Sequence, residues 1–262
     1  MTWRITGSYR IRVFCGTHKP GALQVLHLYA EPVEMAKAFQ TLTIDDDYDH
    51  TFACQSHDGR ILVRWRNKQG EVQLCGSGAF ALIFLLRQQG VLFPRLHTRH
   101  CIVAGREHNG HIELKLPRLD CIPVQSTADG KLYSHPESGV MLLAAKSLQQ
   151  WEQRDWLASN VYAEIFDKAH GFCVFYWNNA NLQGSLRYFV PWYGRDEDYV
   201  SGSIHRYLTP LIDSLYQPEQ QHWLQASSSP GILSSHCDHD SVFITGQCKV
   251  VSAQTESTAH TT

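Results

Sequence analysis

The sequence lacks a long hydrophobic run: its longest apolar stretch, residues 79–86, is far shorter than the roughly 20 residues that span a bilayer. Its start also lacks the apolar segment and small-residue cleavage site of a signal peptide. It has little net charge, with 23 basic against 25 acidic side chains, whereas nucleic-acid-binding domains carry a basic excess. These absences predict a soluble, cytoplasmic protein that binds neither membranes nor nucleic acid.

The eight cysteines include no Cys-x-x-Cys pair and are sparse for a chain of 262 residues. This spacing excludes the dense disulfide framework of small secreted modules. Most of them lie in apolar, strand-like runs, so we expect buried structural thiols, with Cys75 as the exception. Two histidine and cysteine clusters, at residues 97–101 and 236–239, each supply too few ligands for a tetrahedral zinc site. The two could combine, but we interpret them as loop histidines, so no metal is expected.

Strand patterns dominate what is present, in a chain long enough for one and a half to two domains. Residues 9–14 and 60–65 alternate in the manner of half-buried strands, and Asn109-Gly110 is the strongest hairpin signal. Since the connections resemble hairpins rather than crossovers, we predict an α+β fold with a mostly antiparallel sheet. Helical patterns occupy four segments: 32–42, 76–89, 147–158 and 201–216.

One short motif occurs twice. Leu74-Cys75-Gly76-Ser77 opens the second helical segment, and Val200-Ser201-Gly202-Ser203 opens the fourth, about 126 residues further on. The repeat predicts two pseudo-symmetric halves, 1–125 and 126–251, with central helices 76–89 and 201–216. The polar residues 252–262 are predicted to form a flexible tail.

The two helix starts are candidate anion sites, because free N–H groups and the helix dipole both favour negative charge. Facing each other across a cleft, they could hold a small carboxylate. The alternative is that Ser77, Ser201 and Ser203 only cap their helices, which is the commonest role of serine there.

Two further side chains are candidates for proton transfer. Cys75 lies at a helix start, where the pKa of a thiol tends to fall. Asp49 precedes a predicted strand over residues 51–55 and could act as a general base. The alternative for Asp49 is a solvated carboxylate, since residues 45–49 form a charge-rich turn.

Several segments together resemble the phenazine-biosynthesis isomerase (PhzF-like) family, within the diaminopimelate-epimerase-like superfamily. Residues 187–203, Arg-Tyr-Phe-Val-Pro through Glu-Asp-Tyr-Val-Ser-Gly-Ser, are similar to that family's Arg-x-Phe-x-Pro…Gly…Glu-Asp-Pro-x-Thr-Gly-Ser. Residues 71–76 resemble its Glu-x-Pro-x-Cys/Ala-Gly-His segment. Residues 49–52 resemble Ser-Glu-Thr-x-Phe, which holds the catalytic acid. The order and spacing agree over almost the whole chain.

The resemblance implies two similar halves, each a barrel-like sheet around a central helix, with the active site in the cleft between them. It implies a cofactor-independent isomerase that moves a proton on a small carboxylate substrate. Dimers are common in families resembling this one, so a homodimer is a candidate assembly, although the sequence leaves the oligomeric state open.

Carried over position by position, the resemblance makes Asp49 the general acid/base and gives Asp198 and Ser203 catalytic roles. Gly76, Ser77, Ser201 and Gly202 would form the anion cradles. Arg187 would either pair with Asp198 or bind a substrate carboxylate in a bidentate fork.

The sequence also departs from the family. Asp49 is one methylene shorter than the family's glutamate, and Ser77 stands where the isomerases have an active-site histidine. Cys75 matches one epimerase cysteine, but Ser201 replaces the other. Two alternatives therefore stay open: an epimerase or dehydratase that uses Cys75, and a non-catalytic protein that binds a small acid on the same scaffold.

Overall fold

The computed structural model describes residues 6–108, 111–157, 165 and 169–254. Strands and helices are mixed along the chain, which confirms the predicted α+β class. The helices are α1 Pro32–Thr41, α2 Gly76–Gln88, α3 Leu148–Gln153 and α4 His205–Tyr216. The strands are β1 Gly7–Cys15, β2 Ala22–Tyr29, β3 His50–Gln55, β4 Ile61–Asn67, β5 Gly70–Val72, β6 Arg95–His97, β7 Ile102–His108, β8 His111–Pro117, β9 Ile122–Ser126, β10 Gly130–Ser134, β11 Val140–Ala145, β12 Gly171–Asn178, β13 Gln183–Phe189, β14 Gln221–Gln225, β15 Gly231–Cys237, β16 Ser241–Thr245 and β17 Gln247–Gln254.

The first half is built on seven strands in a fixed order. β1 pairs antiparallel with β2, β2 parallel with β3, β3 antiparallel with β4, and β4 parallel with β6. β6, β7 and β8 follow as antiparallel neighbours. Helix α1 connects β2 to β3, and helix α2 connects the β4–β5 hairpin to β6.

The second half repeats this order. β10 pairs antiparallel with β11, β11 parallel with β12, β12 antiparallel with β13, and β13 parallel with β14, after which β14, β15 and β16 are antiparallel neighbours. Helix α3 connects β11 to β12, and α4 connects β13 to β14. Strand orientations and helix positions therefore match between the halves, which confirms the predicted pseudo-symmetry.

The halves exchange strands. β9 follows the first half but pairs with β10, and β17 follows the second half but pairs with β1. β8 and β16 also pair directly. The predicted boundary between residues 125 and 126 falls inside β9. Because β9 pairs with β10, this strand belongs to the sheet of the second half.

The two long central helices, α2 and α4, differ in how they are buried. α2 is apolar on all sides and is buried over almost its whole length, because it packs against β1, β2, β3, β7 and β8. α4 buries one face, which packs on β15 and β16, and exposes Leu215 and Tyr216 at its end.

Two predicted boundaries are wrong. α4 begins at His205 rather than at residue 201, because the preceding residues form a tighter turn in which Arg206 N donates to Ser203 O at 3.2 Å. The predicted flexible tail is a strand over residues 252–254, since Ser252 and Gln254 pair with Arg10 and Ser8 of β1. Residues 255–262 lie outside the described part of the chain.

Other local predictions have mixed outcomes. β7 and β8 pair as the predicted hairpin, with His108 opposite His111, while the Asn-Gly turn between them is not among the described residues. The third helical segment is shorter than predicted, because α3 ends at Gln153. All eight cysteines are free, but only Cys54, Cys75 and Cys173 are fully buried, so the expectation of buried thiols is too broad. Among the described helices, none is long and apolar enough to cross a membrane.

Candidate active site

The two repeated helix-opening segments meet in space. A Cβ atom on Gly76 would lie 2.6 Å from Ser203 N and 2.9 Å from the carbonyl carbon of Gly202. Only a residue without a side chain lets the two backbones approach this closely. Residues 75–77 and 201–203 thus form one helix-start junction between the halves.

Cys75 and Ser201 have equivalent places in this junction. Gly78 N donates to Cys75 Sγ at 3.3 Å, and Ile204 N donates to Ser201 Oγ at 3.4 Å. Cys75 Sγ lies 3.6 Å from Ser77 Oγ, and Ser201 Oγ lies 3.1 Å from Ser203 Oγ. Cys75 and Ser201 therefore each accept a hydrogen bond from the backbone N–H three residues further on. For Ser201 this agrees with the alternative that the serines cap their helices. The residue that caps α2 is Cys75.

Asp49 enters the junction from the start of β3. It is 7% exposed, so the alternative of a solvated loop carboxylate is wrong. Its Oδ1 accepts a hydrogen bond from Asn67 Nδ2 at 3.2 Å. Its Oδ2 accepts from Arg195 Nη2 at 3.1 Å and from Cys75 Sγ at 3.2 Å. The carboxylate is therefore fixed on both oxygens.

The Cys75 thiol does not have the lowered pKa expected at a helix start. Burial raises the pKa of Cys75 well above its usual value, and the charge of Asp49 raises it further. The hydrogen bond from Gly78 N opposes this rise only in part. Desolvation and a neighbouring negative charge thus outweigh the helix start, and the thiol stays protonated at neutral pH.

Asp198 approaches the same place from the second half. Its Oδ1 lies 3.1 Å from Arg195 Nη2, the nitrogen that also contacts Asp49. Burial raises the pKa of Asp198, the charge of Arg195 lowers it, and the charge of Asp49 raises it. Its backbone oxygen accepts from Gln225 Nε2 at 2.9 Å, and Gln225 Oε1 in turn accepts from Ser201 N at 2.8 Å.

Arg195 is the main residue that sequence reasoning missed. It follows a 3₁₀ turn, Pro191–Tyr193, and Gly194 with φ +80°, and its Nη1 donates to the backbone oxygen of Asp47 at 2.9 Å. The available signal was its spacing, three residues before Asp198 and directly after a glycine turn. That spacing shows proximity to Asp198, but not the contact with Asp49 in the other half of the molecule.

Arg187 pairs with a carboxylate other than Asp198. Its Nε and Nη2 each donate to Glu197 at 2.8 Å, so its carboxylate partner is Glu197 and not Asp198. The prediction of an Arg187–Asp198 pair is therefore wrong. The bidentate fork that would receive a substrate carboxylate is already filled by Glu197.

A cavity of about 820 Å³ lies away from this cluster. It contains none of the predicted site residues. Its lining comes mainly from β12 to β16, among them Tyr176, Gln183, His222 and Ser234, with further residues from β1, β7, β8 and α3. Volume alone does not assign chemistry to it, whereas the junction brings together buried titratable groups from both halves. The described residues contain no group of three or more histidine, cysteine or carboxylate side chains that could hold a metal ion.

Comparison with solved structures defines the fold class: the chain shares the fold of PhzC/PhzF-family proteins and of proline-type epimerases and racemases. A phenazine biosynthesis PhzC/PhzF protein from Clostridium difficile superposes with a TM-score of 0.76 at 18% identity, over 95% of this chain and 98% of that one. A PhzF-family protein from Enterococcus faecalis gives 0.73 at 18% identity, over 95% and 98%. A hydroxyproline epimerase from Agrobacterium vitis, with bound trans-4-hydroxy-L-proline, gives 0.58 at 11% identity, over 97% and 92%.

No protein-family model matches the sequence, and a search of curated proteins finds no match. Identities of 18% and below support a common fold only. At that level the resemblance to PhzF-like proteins predicted from the sequence is confirmed.

Proposed function

We propose that the protein is a cofactor-independent, PhzF-like isomerase or epimerase that moves a proton on a small carboxylate substrate, with Asp49 as the general acid/base. The observation that carries this proposal is the buried Asp49 carboxylate, fixed by Asn67 and Arg195 beside the helix-start junction. The shared fold with isomerases and epimerases supports the reaction class.

The helix-start junction supplies the groups that bind the substrate carboxylate. In α2, the N–H groups of Gly78 and Ala79 donate to Cys75 Sγ and Cys75 O. Those of Gly76 and Ser77 have no acceptor within the described part of the chain and are left for a ligand. Backbone N–H groups at a helix start stabilise a carboxylate, and they stabilise an enolate-like charge that develops during proton removal. With a net charge of only −2, the chain attracts an anion through such local dipoles rather than through its overall charge.

Asp49 is oriented for proton transfer. Asn67 and Arg195 hold its two oxygens, and each carboxylate oxygen has a second acceptor site. A substrate C–H that reaches the free site of Oδ1, or that displaces the Cys75 thiol from Oδ2, can lose its proton to the carboxylate and regain it elsewhere. Asp198 and Ser203, on the opposite half, would orient the substrate and share the proton transfer.

Exchange with deuterated water tests the role of Asp49. We expect deuterium to enter a matching small amino or hydroxy acid from a screened panel, and Asp49→Asn to slow this exchange by about 100-fold or more. The matched control is Asp47→Asn, two residues away, whose exposed carboxylate pairs with Lys68 and should not affect exchange. Unchanged exchange in a folded Asp49→Asn variant would remove Asp49 from the mechanism.

A second candidate function uses Cys75 as the proton carrier. The observation that favours it is the place of Cys75 Sγ at the start of α2, where Gly78 N donates to it at 3.3 Å. Ser201 stands opposite, and one thiol with one hydroxyl suits dehydration or exchange on one face. This candidate predicts that Cys75→Ser abolishes both exchange and sensitivity to iodoacetamide, while Asp49→Asn stays active.

The non-catalytic alternative predicts a different result from the same panel. A protein that only binds a small acid at the helix-start junction would show saturable binding by calorimetry with no deuterium entering any bound acid. Conversion of one bound acid at a useful rate excludes this alternative.

A further inference from the structure

The guanidinium of Arg195 lies between two carboxylates that come from different halves of the molecule. Its Nη2 is 3.1 Å from Asp49 Oδ2 and 3.1 Å from Asp198 Oδ1. Because both oxygens contact one nitrogen, the carboxylates are close neighbours. Asp49 and Asp198 are held in the first and second half, so the contact exists only when the two halves are packed together.

Two neighbouring buried carboxylates do not both stay ionised without a cation between them. Burial raises the pKa of Asp198 above its usual value and the charge of Asp49 raises it further, while the charge of Arg195 offsets part of this rise. Burial would lower the pKa of Arg195 itself, but the charges of Asp198 and Asp49 outweigh burial and raise it, so its guanidinium stays charged.

The other titratable groups near the pair do not supply this positive charge. His50, the next residue in the chain, hydrogen-bonds Asp46 and His27 instead, and Lys68 is paired with Asp47. Among the residues that the structure describes, the remaining titratable groups that face Arg195, Asp198 or Asp49 are acids, a thiol and phenols: Asp47, Cys75, Tyr188, Tyr193 and Tyr199.

The loop that carries Arg195 is fixed to the opposite half. Arg195 Nη1 donates to Asp47 O at 2.9 Å, and Asn67 Nδ2 lies 3.4 Å from Tyr193 O. A Cβ on Gly194, whose φ is +80°, would lie 2.5 Å from Gln69 Cγ, so the turn sits directly against the β4–β5 hairpin. These contacts fix the position of the guanidinium in the cleft.

We propose that Arg195 is a positioning residue that keeps Asp49 and Asp198 ionised together when no substrate is bound, so that a carboxylate base is available where the two halves meet. Its catalytic consequence rests on the proposed function, but its effect on the two carboxylates does not. Without Arg195, the two carboxylates share one proton at neutral pH. Asp49 is then hydrogen-bonded to that proton and no longer available to accept one from the substrate.

Titration of the carboxyl groups by NMR, with ¹³C-labelled aspartate, tests this directly. We expect Arg195→Gln to raise the higher apparent pKa of the pair by about 1–3 units, and Arg195→Lys to keep it near the parent value. Asp49→Asn and Asp198→Asn assign the signals. The matched control is Arg118→Gln, which removes a half-buried arginine paired with Asp120 outside the cleft and should change neither signal.

Two outcomes contradict the proposal. One is a folded Arg195→Gln variant whose pair titrates as in the parent protein. The other is that neither Arg195→Gln nor the double variant Arg195→Gln with Asp198→Asn folds. The double variant removes one carboxylate together with the cation. If the single variant does not fold, the double variant is expected to fold again, and failure of both assigns Arg195 a purely structural role.

The pH dependence of deuterium exchange separates this proposal from the proposed function. If both hold, the acidic limb of the exchange profile of Arg195→Gln moves up by the same amount as the carboxyl titration, whereas a merely structural defect lowers exchange equally at every pH. A shifted titration without any exchange in the parent protein would contradict the function alone. Exchange with an unshifted titration would contradict the role of Arg195 alone.

Discussion

Position 76 requires glycine because the backbone there lies against the backbone of Gly202 and Ser203 in the other half. The nearest atom to a Cβ there would be Ser203 N, a backbone atom that cannot rotate away. Gly76→Ala should therefore push the halves apart at the helix-start junction and destabilise the protein by about 1–3 kcal/mol. Chemical denaturation measures the loss, and exchange activity should fall with it.

The comparison for this variant is Gly59→Ala in an exposed turn. There, a Cβ atom would have only Gln55 Nε2 within 4 Å, at a distance of 3.9 Å, but φ is +84°. Its cost is backbone strain alone, so stability should fall while exchange activity per folded molecule is unchanged. Equal activity in Gly76→Ala and Gly59→Ala would show that the close approach at Gly76 has no part in the site.

Candidate site residues that lie within a recognisable sequence motif could be predicted. Residues that reach the site only through tertiary contacts could not. Cys75, Gly76 and Ser201 became candidates because the motif repeats. Asp49 became one because it precedes a predicted strand in a segment that resembles a known one. Arg195 escaped because its partner Asp49 is 146 positions away in the chain. The Arg187–Asp198 pair was wrong because Glu197, one residue earlier, takes the bidentate fork.

At the scale of elements, α4 contains a buried histidine with consequences for stability. His205 is fully buried, its Nε2 has no hydrogen-bond partner within the described part of the chain, and burial lowers its pKa from 6.5 to about 3. Between these values the unfolded chain binds a proton at this residue and the folded chain does not. Stability is therefore lost as the pH falls through this window, by up to about 1.4 kcal/mol per pH unit.

Denaturation at several pH values between 3 and 6.5 tests this expectation. His205→Gln should reduce the slope of unfolding free energy against pH by roughly the contribution of one proton. His57→Gln, which removes an 89% exposed histidine side chain, should leave the slope as it is. Equal slopes in all three proteins would contradict the buried, neutral state of His205.

Element positions were predicted where one local signal dominates. Pro32 at a helix start and the small residues of the second helical segment placed α1 and α2 within one residue of their observed ends. The start of α4 was misplaced because residues 201–204 combine capping serine with a tighter turn. β17 was missed because almost all of its side chains are exposed and do not alternate between buried and polar, and its order comes from pairing with β1.

The whole molecule should unfold in one step. The exchange of β9 and β17 and the direct β8–β16 pairing leave neither half with a complete sheet of its own. Tryptophan fluorescence and far-ultraviolet circular dichroism should therefore give the same denaturation midpoint. Two separate transitions would mean that the halves fold independently.

The two-half architecture could be predicted because a repeated motif predicts a repeated unit. The exchange of strands could not, since nothing local in β9 or β17 indicates which half it pairs with. The homodimer stays a prediction, and sedimentation analysis would test it.

The strand exchange also affects whether the two halves must follow each other along the chain in their present order. β17 and β1 pair as β9 and β10 do, with Gln254 opposite Ser8 where Ser126 is opposite Lys131. The end of β17 and the start of β1 thus lie side by side, as do the end of β9 and the start of β10, which a turn connects. A circular permutant that joins Gln254 to Ser8 by a short linker and opens the turn between β9 and β10 would keep every strand pair while exchanging which half is synthesised first.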